Sequence, residues 1–181
     1  NAKDSIETST RTGYYLRKLL RDDVNLDPNS STTKKHYDAI IRYTEIFLIY
    51  AEAANEAYGP DGTGTNGFSA RAVIAAIRKR AGLPEVDNYL ASITTKDDMR
   101  TLIRNERRLE LCFEGFRFWD LRRWNVDLTE TAKGVNIAKN AAGYTVVNVE
   151  PRAYNNDFMH YGPIPYNEVL KFNALVQNDG W

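Results

Sequence analysis

The segment RNERRLELCFEGFRFWDLRRWN, residues 104–125, sets six arginines, four acids and five aromatic residues within 22 positions. Three kinds of chemistry draw on such a mixture: nucleic-acid binding, catalysis by paired carboxylates, and a buried ion-pair network between helices. Glu106, Glu110 and Glu114 succeed one another at i,i+4. On a helix they stand one above another, and like charges at that spacing repel by ~0.2–0.5 kcal/mol per pair. The cations that offset them must therefore reach in from other segments. Met99, Leu102, Leu109 and Phe113 mark the apolar arc of the same helix, with Glu106 in its middle and Glu110 at its edge. A glutamate in that arc needs a partner. Arg117, Arg122 and Arg123 beyond Gly115, and Arg42 on an earlier helix, are the expected sources, because guanidinium binds carboxylate bidentately and tolerates interiors better than an ammonium. Trp119 and Trp124 are expected to pack against this network.

The other two chemistries fare worse. Carboxylates one helical turn apart lie ~5–6 Å apart at Cβ, near the ~5–5.5 Å of a retaining glycosidase. Such an enzyme sets its two carboxyls on opposite sides of the scissile bond and raises the pKa of one, whereas neighbours amid arginines stay ionised. No catalytic residue is assigned. Lysine plus arginine equals aspartate plus glutamate at 24 each, which removes the long-range positive field of a nonspecific nucleic-acid binder. The single Cys112 excludes an intrachain disulfide, and neither His36 nor His160 has a second His or Cys at ligand spacing. Neither a metal nor another cofactor is expected. No apolar run approaches the ~18 residues of a membrane span.

The elements that must position these residues follow from periodicity. Residues 36–58 read as a long helix, apolar around most of its circumference, with Arg42, Glu45, Glu52 and Glu56 in one narrow strip. The connector GPDGTGTNG, residues 59–67, lacks the Lys and Ser/Thr that end a phosphate-binding loop and reads as flexible. A second helix over 68–81 carries Ala72, Val73, Ala76 and Ile77 on one face and stops at Gly82, with Pro84 beyond. The two form an antiparallel hairpin with a small-residue face like that of a tetratricopeptide unit. A third helix starts at the Thr95/Asp98 capping pattern and runs to Gly115. Periodicity is lost over about 125–160, apart from strand-like YTVVNV at 144–149, and a short helix follows Pro165. The expected fold is mainly α, with tetratricopeptide-like helical hairpins, long irregular loops and little β.

These residues resemble the C-terminal part of the SusD/RagB family, the glycan-capturing surface lipoproteins of Gram-negative polysaccharide foragers. TGYYLRKLL (12–20), RYTEIFLIYAEAANEA (42–57), IRKRAGLP (77–84), RNERRLELCFEGFRFWDLRRW (104–124) and HYGPIPYNEV (160–169) carry the resemblance, in the family's order. It implies an extended strand at the first block and a helical scaffold over all of 1–181, as the C-terminal portion of a larger SusD-like domain. It also implies non-catalytic binding of a glycan, delivery to a SusC-like TonB-dependent transporter, and lipid anchoring outside the outer membrane through an N-terminal region absent here. A tetratricopeptide-type adaptor for protein or peptide is the alternative. The missing N-terminal half is expected to cover the apolar first helix. Sugars dock on exposed rings, and Tyr58, Tyr89, Tyr144 and Tyr154 are the tyrosines that periodicity does not assign to a core.

Overall fold

The computed structural model describes residues 9–37, 39–137, 143–154 and 158–181. They fall in two compact units, one running from Thr33 to Arg117 and the other made of the chain on either side of it. The fold is mainly α, with one small two-stranded sheet.

In the first unit, α1 (Tyr43–Tyr58) packs against both α2 (Ala70–Arg80) and α4 (Lys96–Glu110), with the single-turn α3 (Asn88–Ser92) between the last two. Each helix start has a local cause. Ser69 Oγ accepts the Ala72 N–H, Asp87 accepts the Leu90 N–H and Thr95 Oγ1 accepts the Asp98 N–H, satisfying amides that have no partner within the helix. α2 ends as its sequence predicts. Gly82 takes φ +93°, a conformation that costs glycine little, and its N–H returns to the Lys79 carbonyl while Leu83 N–H returns to Arg78. The core is Leu48, Ala51 and Ala54 from α1, Ala70, Ile74 and Ile77 from α2, and Met99, Leu102 and Ile103 from α4, with Leu90, Ile93 and Leu111 beside them.

Three expectations are corrected here. The first helix begins at Tyr43 rather than residue 36. Arg42 is extended at φ −138° and ψ 155°, and Ile40 and Ile41 lie exposed before it; Asp38, within the expected helix, lies outside the described residues. Part of the apolar circumference of α1 faces solvent within residues 1–181. Its charged strip is half-buried against α4 while Tyr43, Ile46, Phe47 and Ile49 face outward, the reverse of the usual arrangement. The ion pairs described below account for that rotation. Likewise α2 buries Ala70, Ile74 and Ile77 and leaves Ala72 and Ala76 exposed, and Leu109 and Phe113 lie exposed rather than in the buried arc of α4.

In the second unit, β1 (Ala132–Asn136) pairs antiparallel with β2 (Thr145–Glu150), Gly134 opposite Val147 and Val135 opposite Val146. Val135 N–H also donates to the Thr12 carbonyl, and Arg11 pairs with Glu150, so the chain near residue 12 lies along β1. The residues that follow, 14–17, are neither helix nor strand, where an extended strand is expected. α5 (Phe116–Arg123) follows the Gly115 break and α6 (Tyr166–Lys171) follows Pro165. Near the C-terminus the Gln177 side chain brackets Ile164, accepting its N–H and donating to its carbonyl, while Trp181 meets Phe158 edge-on at 4.8 Å. Of the irregular stretch 125–160, residues 138–142 and 155–157 lie outside the described residues.

Candidate functional site

The arginine and carboxylate block forms a ladder between α1 and α4. Because the helices run antiparallel, pairs succeed one another from one end to the other. Glu56 takes Arg100 Nε at 2.5 Å, Glu45 lies 3.9 Å from Arg107, and Arg42 reaches Glu110 at 2.9 Å and Glu114 at 2.8 Å. Arg42 grips Glu114 with two nitrogens, Nε and one terminal NH2, in the bidentate geometry that suits guanidinium. Its pKa is raised above the ordinary arginine value, chiefly by the hydrogen bond to Glu114, so it is a fixed cation.

Glu106 is held by a residue outside the arginines expected from the sequence. Its partner is Arg78 on α2, which also donates from Nε to Asp87 at 2.6 Å and lies with its guanidinium carbon 5.6 Å from the Tyr89 ring centre. Arg78 and Glu106 are both largely buried, with 13% and 10% of their side chains exposed. One arginine thus joins α2 to α4 and to the cap of α3. Its pKa is raised first by Asp87 and then by Glu106, and Asp87 is lowered in turn by Arg78. The signal for this hub is present in the IRKRAGLP run, four residues before the glycine stop. What was missing was the direction of α2, which the rotated apolar face supplies.

Arg122 and Arg123 meet other partners. Arg122 stacks 3.5 Å above the Phe118 ring rather than on the glutamates. Arg123 donates to the buried Asp120 at 2.9 Å and covers the Trp124 ring. Arg117 is half-buried just past Gly115. Trp119 is 67% exposed and meets Phe118 edge-on, so it does not pack against the network as expected; the Gly115 break turns α5 so that this ring faces outward. Paired as they are, Glu106, Glu110 and Glu114 offer no free acid and base on opposite sides of a cleft.

Glu56 provides a test of the ladder's outer end. Arg100, then Lys96, hold its carboxyl down at about 2 from an ordinary 4.5. A depressed carboxylate contributes stability above its unfolded pKa and loses it as pH falls through the folded one. The stability gap between the protein and Glu56→Gln is therefore expected to be constant above about pH 5 and to close between about 4.5 and about 2. Thermal melts across that range read it. The gap is small because Glu56 is 39% exposed and screened by water.

The four tyrosines do not form one cluster. Tyr58 and Tyr89, each 57% exposed, belong to the first unit, at the end of α1 and at the start of α3. Tyr144, 68% exposed, and Tyr154, 43% exposed, flank β2 in the second. Among the described residues no three His, Cys, Asp or Glu side chains converge as a metal centre requires, and no helix is long and apolar enough to cross a membrane.

Fold and site together define a helical scaffold, ion-paired internally, that carries exposed aromatic rings on its connections. The chain belongs to the SusD family, whose model matches residues 1–181. Among curated proteins it is similar to SusD-like protein P38 of Formosa agariphila, 34% identical over 114 residues, which are 61% of this chain and 21% of that one. It is also similar to SusD-like protein P25 of the same organism, 32% identical over 167 residues, 91% of this chain and 28% of that one. A solved SusD-like protein from Bacteroides fragilis superposes with a TM-score of 0.59 at 33% identity, over 78% of this chain and 25% of that one. The chain thus spans about a quarter of the length of the relatives it matches.

Proposed function

We propose that the chain is part of a non-catalytic glycan-binding protein. It would act in polysaccharide utilisation, holding poly- or oligosaccharide at the outer face of a bacterial outer membrane for a SusC-like TonB-dependent transporter. SusD family membership over all 181 residues carries this reading. The ion pairs support its non-catalytic part, since the acids at catalytic spacing are committed to Arg78, Arg42 and Arg80. Lipid anchoring through a segment outside residues 1–181 belongs to the same reading. So does a cover for the outward face of α1, where Tyr43, Ile46 and Phe47 form an apolar surface of the kind that marks contact sites; further polypeptide of the same protein is the proposed cover.

The intact protein is expected to be retarded in gels containing a polysaccharide and to release no reducing ends from it. Steady release of reducing ends by purified protein would overturn the non-catalytic assignment. Binding of peptides with no polysaccharide bound would favour the protein-binding adaptor instead, a role that a helical hairpin also serves.

A further inference from the structure

We propose that Tyr58 and the connector between α1 and α2 form a docking point for one neutral pyranose ring, an inference that rests on the glycan-binding role proposed above. The connector backbone passes close against the tyrosine. A Cβ at Gly64 would stand 2.5 Å from Tyr58 Cε2 and 2.8 Å from Cζ, and one at Gly62 would stand 2.6 Å from the Tyr58 Cβ. Only glycine permits so close an approach, and Gly64 also takes φ +53°. The connector therefore closes over part of the ring, yet the residue keeps 57% of its surface in water. That is a fixed and accessible aromatic surface, distinct from a ring tucked into a core.

Polar groups follow on the same connector. Asp61, three residues on, is oriented by Arg71 through bonds of 2.6 and 3.0 Å, and Arg71 is anchored on the Leu90 and Ile93 carbonyls. The Asp61 side chain remains 68% exposed, so a fixed carboxylate with free lone pairs faces solvent on the same connector. Thr63, Thr65 and Asn66 are exposed on the same connector, and none of their side chains makes a hydrogen bond among the described residues. A pyranose presents an apolar C–H face and an edge of hydroxyls. An aromatic surface receives the first, and carboxylate, amide and hydroxyl groups receive the second. The ionised Asp61 selects for neutral sugars, because a uronate would bring a second carboxylate against it.

The test is affinity electrophoresis of the intact protein with neutral polysaccharides (laminarin, mannan, xylan) and uronate-rich ones (alginate, polygalacturonate). Tyr58→Ala is expected to weaken binding of the retarding neutral polysaccharide about tenfold, which corresponds to ~1.4 kcal/mol. Tyr58→Phe keeps the ring and is expected to stay within about twofold, while Gly64→Val, which displaces the ring without removing it, falls between. Matching melting curves for Tyr58→Ala and the unsubstituted protein show that the loss is not one of folding. Unchanged affinity in Tyr58→Ala overturns the docking point and leaves the glycan role standing. Retardation by the uronate-rich polymers alone overturns the selectivity for neutral sugars, and no retardation by any polymer overturns the glycan role and this inference together.

Discussion

Arg78→Ala is expected to destabilise the protein by ~3–5 kcal/mol, the range for breaking a buried ion pair from one side. Three contacts go at once: the bond to Glu106, the bond to Asp87 and the stacking on Tyr89. Glu106 would then sit on the inner face of α4, 8% exposed and without its cation. At ~2–4 °C per kcal/mol for a chain of this size, the melting temperature should fall by roughly 6–20 °C. Glu106→Ala should cost less, about 3 kcal/mol, because Arg78 still has Asp87 to satisfy it. The ordering of the two variants is the sharper test. A double replacement, Arg78→Met with Glu106→Leu, should recover the part of the loss that comes from Glu106, since two apolar side chains then meet between α2 and α4, while Asp87 still lacks its cation. A melting temperature of Arg78→Ala within a degree of the unsubstituted protein would show that the pair is solvated and that α2 and α4 are joined by apolar contact alone.

Periodicity places a residue on a face of its own helix, but it does not say which neighbouring helix that face meets. Glu106 was correctly placed in the buried arc of α4, and the need for a guanidinium followed from burial. Choosing among the arginines required tertiary information. Arg122 and Arg123, closer in sequence, turn to Phe118 and Asp120, while the one 28 residues away makes the bond. Arg42, by contrast, was chosen from the first helix and does reach Glu110 and Glu114. There the sequence carries the answer because the i,i+4 column of acids leaves one long strip to be matched, and Arg42, just ahead of α1, begins the facing strip.

The β hairpin shows a different limit. β2 was legible in YTVVNV, a run of β-branched residues. β1 reads AKGVN, with a glycine at its centre that weakens any strand signal. Its reason lies outside the strand: a Cβ at Gly134 would stand 2.6 Å from the Thr12 carbonyl oxygen. A residue chosen for the close passage of a distant segment cannot be read from its own neighbours. The same holds for Gly64, whose place against Tyr58 turns a connector that reads as flexible into one shaped around a ring.

Leu48→Ala and Phe47→Ala, adjacent on α1, are expected to differ severalfold in cost. Leu48 is fully buried in the core with Ile74, Met99 and Ile103, and removing its branched end leaves a cavity costing ~2–5 kcal/mol. Phe47 points outward at 50% exposure beside Tyr43, its ring 6.4 Å away, and replacing it should cost about 0.5 kcal/mol, as for a surface position. The contrast exists because α1 turns its charged strip to α4. Arg42, Glu45 and Glu56 each have their cation or anion on that helix, and satisfying them points Ile46 and Phe47 away. In a chain of residues 1–181, denaturant unfolding of the two variants reads this ratio directly. If longer polypeptide of the same protein covers the outward face, Phe47→Ala in the intact protein should instead cost ~3–5 kcal/mol, like a core phenylalanine. Equal small costs for Phe47→Ala in both would remove the proposed cover, and a small cost for Leu48→Ala would place the core of this unit elsewhere.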